Sequence, residues 1–200
     1  MHIKISNIEF DVDSTPIGLD EAFERIDASM NEFQVYLSHL IVDGTQVDSS
    51  FREYLLDHLS DIKGVEVVFL AADEYLNKVV ELMRIFLEKC IPTIKEVAHQ
   101  FYGHHDASTW SRFSEIVTLM NQIVQIIQSL VINPDFKGKV DRFGELGQNI
   151  VGKLSELNDA LVSNDMVLAA DLMLYELNPF AENMYAALQE LTRSERYDIH

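Results

Sequence analysis

The chain has 200 residues, of which 48% are hydrophobic, so it has enough apolar material for a real core and is not a disordered chain. Its formal net charge of −18 comes from 33 acidic and 15 basic residues. Because binding to phosphates depends on clustered Lys and Arg, nucleic acid and membrane are disfavoured as partners.

The cysteine content and the N-terminal residues predict a cytoplasmic protein. Cys90 is the single cysteine, which excludes an internal disulfide. Residues 1–10 alternate polar with apolar side chains instead of forming the basic and apolar regions of a secretion signal. The longest purely apolar run, Val67–Ala72, has six residues, whereas about 20 are needed to span a bilayer.

Two β-hairpins are predicted in the first 72 residues. The alternation of apolar and polar residues changes phase at Ser6-Asn7, which indicates a hairpin turn. Residues 35–42 lead into Asp43-Gly44, a dipeptide that suits the positive φ values of a type I′ turn. Residues 33–41 would also continue a helical stripe, but the Asp-Gly turn and the β-branched run before it favour the strand.

Helical segments are predicted on either side of the second hairpin. Apolar residues recur at helical spacing behind Pro16 and Gly18, which places one helix between the hairpins. Ser50 and Glu53 have the spacing of a capping box, which predicts a short helix beginning at Phe51. That helix is expected to end before a buried strand over residues 65–70.

The order hairpin, helix, hairpin, short helix and final strand resembles the β-grasp fold of the small sulfur-carrier proteins of thiamin and molybdopterin synthesis. The likeness rests on this order and on the stretches His39–Val47 and Gly64–Leu70. It implies a compact acidic module that docks onto other proteins. Those carriers act through a free C-terminal Gly-Gly tail, whereas Ala71-Ala72 here leads into a helix, so carrier chemistry is not expected.

Residues 73–200 predict a four-helix bundle. Apolar residues recur at three- and four-residue steps in four segments, 76–101, 113–131, 136–161 and 168–191. Because the connections are short, consecutive helices are expected to be antiparallel. The predicted fold class is therefore α+β, with a β-grasp-like domain at 1–72 followed by an antiparallel four-helix bundle at 73–200.

Proline and glycine add detail to the predicted bundle. Pro92 and Pro179 are expected to kink the first and fourth helices. The dipeptide Asn133-Pro134 predicts the N-cap and first position of the third helix. Gly144 and Gly147 predict that the third helix approaches a neighbour closely, because neither carries a side chain.

A metal site is the alternative to a purely structural bundle. Glu96 and His99 lie three residues apart on one helix face, as metal ligands do in di-iron bundles, but such bundles need two of these pairs and further carboxylates. Cys90 lies in an apolar stripe and is expected to be unreactive core. No metal or other cofactor is therefore predicted, and a metal protein or enzyme using Glu96 and His99 is the second hypothesis.

Titratable residues do not form a catalytic pattern. Asp171 and Glu176 lie among apolar residues, but five positions on a helix separate them by about 140°, so they do not make a carboxylate pair. We expect a surface or hydrogen-bonding role for each. The chain is predicted not to be an enzyme.

The second bundle helix lacks charge along much of its length. The 17 residues Ile116–Ile132 contain no charged side chain, whereas the chain average of 24% would supply about four. The polar positions of this segment share one helix face, and they are Thr118, Asn121, Gln122, Gln125, Gln128 and Ser129. Such a face can be covered without removing water from ions. The N-terminal domain, a partner protein or a second copy in a homodimer could cover it, or it could remain in solvent.

Together these patterns predict a non-enzymatic cytoplasmic protein-interaction module, acting as an adaptor or a chaperone-like binder. The six polar residues of the uncharged helix face are the predicted partner-binding site.

Overall fold

The computed structural model describes the backbone of residues 1–197 and the side chains of residues 1–192. Contacts divide the chain into two compact units, Met1–Leu76 and a second unit that begins at Asn77. The predicted boundary after Ala72 lies four residues before this division. The last three residues of the predicted second domain, 198–200, lie outside the described residues.

The first unit is an α+β fold with a mixed five-stranded sheet. Its elements follow the predicted order, and they are β1 (His2–Ile5), β2 (Ile8–Asp11), α1 (Pro16–Phe33), β3 (Val35–Val42), β4 (Thr45–Val47), α2 (Phe51–Asp57) and β5 (Gly64–Ala71). The strand order across the sheet is β2-β1-β5-β3-β4. Strands β1 and β5 are parallel, and the other neighbouring pairs are antiparallel.

Left-handed backbone conformations shape the turns of this unit. Asp43 and Gly44 have φ values of 47° and 87°, so the predicted turn with positive φ at both central positions is confirmed. Gln34, with φ 52°, ends α1 and allows the next residues to form β3. This resolves the ambiguity over residues 33–41 in favour of the strand.

The core of the first unit lies between α1 and the sheet. Thr15 caps α1, because its Oγ1 accepts a hydrogen bond from the Gly18 backbone nitrogen at 3.1 Å. The apolar stripe of this helix packs against strand residues in one core. Fully buried side chains of that core include Leu19 and Ile26 from α1, and Ile3, Ile5 and Leu40 from the strands. Burial of side chains of this size contributes about 1.5–3 kcal/mol each.

The predicted capping box at the start of α2 is wrong. Ser50 has φ 49°, and its side chain makes no capping hydrogen bond. A capping box requires an extended backbone at the cap, which Ser50 lacks, although the Ser50 carbonyl accepts from the Tyr54 nitrogen at 2.9 Å. The helix begins at Phe51 as predicted, but without a capping bond from the Ser50 side chain.

The second unit is helical, and its first helix begins in the last residues of the first unit. The elements are α3 (Ala72–Tyr102), α4 (Ala107–Ile132), a 3₁₀ turn (Pro134–Phe136), α5 (Asp141–Val162), α6 (Met166–Leu172), a π turn (Met173–Leu177) and α7 (Asn178–Tyr197). Each of the four predicted apolar segments is helical, and the fourth is interrupted by the π turn.

The predicted start of the third helix is wrong, and the structure adds a detail near Pro179. Asn133 caps the 3₁₀ turn and not α5, because its Oδ1 accepts from the Asp135 nitrogen at 3.0 Å. Gly138 then adopts φ 83°, and α5 begins at Asp141. At Pro179 the interruption takes the form of a π turn, in which the Asn178 nitrogen donates to the Met173 carbonyl five residues earlier.

The predicted close approach at the two glycines is confirmed. A Cβ atom built on Gly144 would lie 3.1 Å from Val131 Cγ2, and one built on Gly147 would lie 3.1 Å from Ile127 Cγ2. Larger side chains at these positions would separate α4 from α5.

Candidate functional site

Helix α4 is positioned by its cap and by its buried stripe. At its start the Thr109 backbone nitrogen donates to Asp106 Oδ1 at 2.9 Å, and the Asp106 nitrogen donates to Thr109 Oγ1 at 3.2 Å. The Thr109 hydroxyl also donates to Asp106 Oδ1 at 3.1 Å, and the two hydrogen bonds that the carboxylate accepts from Thr109 lower the pKa of Asp106 below its usual value. The buried apolar residues repeat at three- and four-residue intervals, and they are Phe113, Ile116, Met120, Ile123, Val124, Ile127 and Leu130.

The six predicted partner-binding residues lie together on the opposite side of α4, and all six are exposed. Two of them bond to their own helix, since Thr118 Oγ1 donates to the Ser114 carbonyl and Ser129 Oγ to the Ile126 carbonyl, each at 2.8 Å. The four amide side chains, Asn121, Gln122, Gln125 and Gln128, therefore supply the hydrogen-bonding capacity of this face.

A shallow groove extends the exposed face of α4 toward α5. It encloses a cavity of about 250 Å³. Gly144 and Gly147 line it at positions where the two helices are in close contact. The remaining lining residues are Ile127, Gln128, Val131, Ile132 and Gln148.

Beyond the groove, α5 carries a second uncharged line. Exposed residues without charge follow one another at three- and four-residue steps along this helix, and they are Gln148, Val151, Ser155, Asn158 and Val162. Ile132 and Val162 are 82% and 79% exposed, which is high for such apolar side chains.

We call these residues together the neutral surface. It comprises Thr118, Asn121, Gln122, Gln125, Gln128, Ser129, Val131 and Ile132 on α4, and Gln148, Val151, Ser155, Asn158 and Val162 on α5. The sequence predicts the six polar residues on α4, but not Val131, Ile132 or the residues on α5. In the sequence the two glycines indicate only that α5 approaches a neighbour closely, and they do not identify that neighbour as α4.

The structure does not bring Glu96 and His99 together with further metal ligands. Both side chains are exposed on α3, and the Glu96 carboxylate forms an ion pair with Arg112 at 3.1 Å. Across the described part of the chain, no group of three or more His, Cys, Asp or Glu side chains is arranged to hold a metal ion.

Asp171 and Glu176 bind different partners. Asp171 accepts a hydrogen bond from the Tyr102 hydroxyl, and this bond raises the pKa of Tyr102 to about 12. Glu176 lies 3.7 Å from Lys153 Nζ, which also pairs with Glu156 at 3.0 Å. The two carboxylates thus have the separate hydrogen-bonding and surface roles that the sequence indicates.

Cys90 is buried in α3, and this burial raises the pKa of its thiol to about 12. A thiol of this kind is almost entirely protonated at neutral pH, and it is therefore a poor nucleophile and a poor metal ligand.

Among the described residues, α4 is the one helix long and apolar enough to cross a membrane by length and composition. The core helix of a soluble protein meets the same criteria, and α4 buries a complete apolar stripe within its own unit.

Comparison with known proteins places the helical part in a family. Residues 68–187 match the family described as a domain of unknown function, DUF8042, and this segment contains the whole neutral surface. No curated protein and no solved structure matches the chain. Because the family match covers more than half of the residues, the chain belongs to the DUF8042 family.

Proposed function

We propose that this chain is a non-enzymatic, cytoplasmic protein-interaction module, working as an adaptor or a chaperone-like binder, and that it binds a protein through the neutral surface. The observation that carries the proposal is an exposed surface two helices wide, without charge, on a chain whose net charge is −18.

Desolvation energies support this choice of surface. Covering a charged side chain without a partner costs several kcal/mol, whereas an amide can exchange its water for a hydrogen bond across an interface at little net cost. The exposed Val131, Ile132, Val151 and Val162 add apolar area that gains free energy when it is covered. Amides mixed with apolar side chains resemble the composition of protein interfaces more than that of a nucleic-acid or membrane site.

The arrangement of the helices that carries this surface is also part of the proposal. We infer an antiparallel four-helix bundle, in which the fourth helix is α6, the π turn and α7 together. Contacts between α3 and the fourth helix support this, because residue numbers rise along α3 while those of the partners fall. Arg84 bonds to Tyr185, and Tyr102 bonds to Asp171. The ion pairs Arg142–Glu190 and Lys153–Glu176 likewise support an antiparallel arrangement of α5 and the fourth helix.

A β-grasp-like role for the first unit belongs to the same proposal. The support is the element order, which is hairpin, helix, hairpin, short helix and final strand, and the packing of α1 against the sheet. An adaptor with this module in its first unit and the neutral surface in its second would have two faces for protein contacts.

Site-specific photo-crosslinking in cells of the source organism tests the proposed function. A photoreactive residue in place of Gln125 is expected to give a defined cross-linked protein band, and the same residue in place of Asn183, on α7, serves as the control. Replacing Gln122 with Lys in the Gln125 probe should remove the band. Cross-linking that is equal at both sites, or absent at Gln125, would refute the proposal.

A further inference from the structure

The neutral surface has the chemistry of a contact between identical chains, and we propose that its occupant is a second copy of this protein in a symmetric dimer. This inference rests on the proposed function and names the partner.

The absence of charge from the neutral surface favours a second copy over a basic partner. A partner rich in Lys or Arg would need carboxylates to pair with, and none of the 13 residues of the neutral surface supplies one. Two copies that each carry −18 repel one another wherever charged faces meet, so contact is least unfavourable where both faces are uncharged.

The amide side chains of the neutral surface can also pair with those of an identical copy. Each Asn or Gln side chain carries both donors and an acceptor, so a row of amides can pair with an identical row across a two-fold axis. The neutral surface has six such side chains, at 121, 122, 125, 128, 148 and 158. Ile132 and Val151 provide apolar contacts beside them, and the groove over Gly144 and Gly147 can receive a side chain from the other copy.

The area of the neutral surface indicates how stable the proposed dimer is expected to be. At 1.5 Å per residue the neutral surface is roughly 25 Å long, and two helices in close contact are roughly 20 Å wide, which gives a projected area of about 500 Å² per copy. Stable interfaces bury about 800 Å² per partner, so we expect a dimer that is weaker than a permanent one and in equilibrium with the monomer.

Salt separates this proposal from binding to a basic partner. Acidic side chains flank the neutral surface, among them Glu115 on α4 and Asp141 and Asp159 on α5. In a dimer these carboxylates repel those of the other copy, and added salt screens the repulsion. The dimer should therefore become tighter as the salt concentration rises, whereas a complex with a basic protein becomes weaker.

Sedimentation equilibrium of the full-length protein at low and high salt is the test. The native chain should show a monomer–dimer equilibrium that shifts toward dimer in high salt. Asn121→Asp adds one carboxylate to each face without changing side-chain size, and it should raise the dissociation constant about tenfold or more. The matched control, Asn183→Asp, adds the same charge on α7 and should leave the equilibrium unchanged.

A disulfide experiment locates the interface independently of charge. Because Cys90 is buried, Gln125→Cys introduces one reactive thiol, which should form an intermolecular disulfide under mild oxidation while Asn183→Cys does not. A chain that stays monomeric at both salt concentrations overturns the inference. So does a dimer that forms no disulfide through position 125, or one that Asn121→Asp leaves intact. In each of these cases cross-linking of Gln125 to another protein would leave the proposed function standing.

Discussion

The carboxylate of Asp43 accepts a hydrogen bond from the backbone N–H of Gly64, with 2.8 Å between Oδ1 and the nitrogen. A second hydrogen bond comes from the Lys63 N–H at 3.1 Å. Asp43 lies in the turn between β3 and β4, and Gly64 is the first residue of β5. One side chain therefore ties the second hairpin to the central strand, and the bonds from Lys63 and Gly64 lower the pKa of Asp43.

This link predicts a pH-dependent contribution to stability. Asp43→Asn keeps a side chain that tolerates positive φ but removes the charge, and it should lower the Tm at neutral pH. A lowered pKa in the folded state stabilises the protein above the unfolded value of about 3.9, and this contribution is lost as the pH falls through the folded value. Thermal melts of both proteins should therefore converge in acid. A Tm difference that stays constant with pH would contradict this account.

The two helix starts of the first unit predict opposite responses to alanine. Thr15→Ala removes the Oγ1 that accepts from Gly18, and it should lower the free energy of unfolding by about 1 kcal/mol. Ser50→Ala removes no capping bond, and it should change that free energy by less than about 0.5 kcal/mol. Urea denaturation followed by circular dichroism measures both, and an equal loss at the two sites would argue against the asymmetry.

Glycines of α5 differ in the space around them. A Cβ on Gly152 meets nothing within 4 Å, so Gly152→Ala should raise the free energy of unfolding by about 1 kcal/mol through helix propensity. Gly147→Leu places a large side chain against Ile127 and should lower it by about 1–3 kcal/mol or more. Chemical denaturation of the two variants checks the contrast. Similar effects at both positions would show that α5 does not depend on close contact at Gly147.

Burial of Cys90 predicts protection of its thiol. In the folded protein the thiol should react with a disulfide reagent about a hundredfold or more slowly than in denaturant, because reaction requires local or global opening. Absorbance of the released thiol reports the rate. Fast reaction of the native protein, at the rate of a free thiol, would place Cys90 at the surface.

Charge introduced at the centre of the neutral surface should prevent association. The double substitution Gln122→Lys and Gln125→Lys is expected to convert the proposed dimer to a monomer in light scattering without loss of helical signal, because two cations per copy would be covered without carboxylate partners. The double substitution Asn149→Lys and Asn183→Lys, at exposed positions outside the neutral surface, is the control and should keep the native mass. A native mass for both variants would remove this face from consideration.

Local chemistry made much of the first unit predictable. The turn at Asp43-Gly44 requires positive φ at two successive residues, which few dipeptides tolerate, so this dipeptide alone predicts the turn. The capping box predicted at Ser50 fails for a related reason. The Ser-x-x-Glu pattern assumes an extended backbone at the cap, but the chain enters α2 through a left-handed residue, which the pattern does not report.

The candidate site was half predictable. The absence of charge along residues 116–132 is visible in the sequence, and periodicity puts its polar side chains on one face of α4. The contribution of α5 depends on which of its faces adjoins α4, and this is decided by the packing of Gly144 and Gly147 against Val131 and Ile127. Periodicity within a single helix does not contain that information.

The π turn at Met173–Leu177 holds one residue more than an α-helical path would need. Each residue turns a helix by about 100°, so the extra residue sets the phase of everything that follows it. Deleting a single amino acid here would rotate α7 relative to α6 and carry Met184 and Leu188, both fully buried, toward water. Length at this point of the chain is therefore as strictly constrained as residue type is in the core.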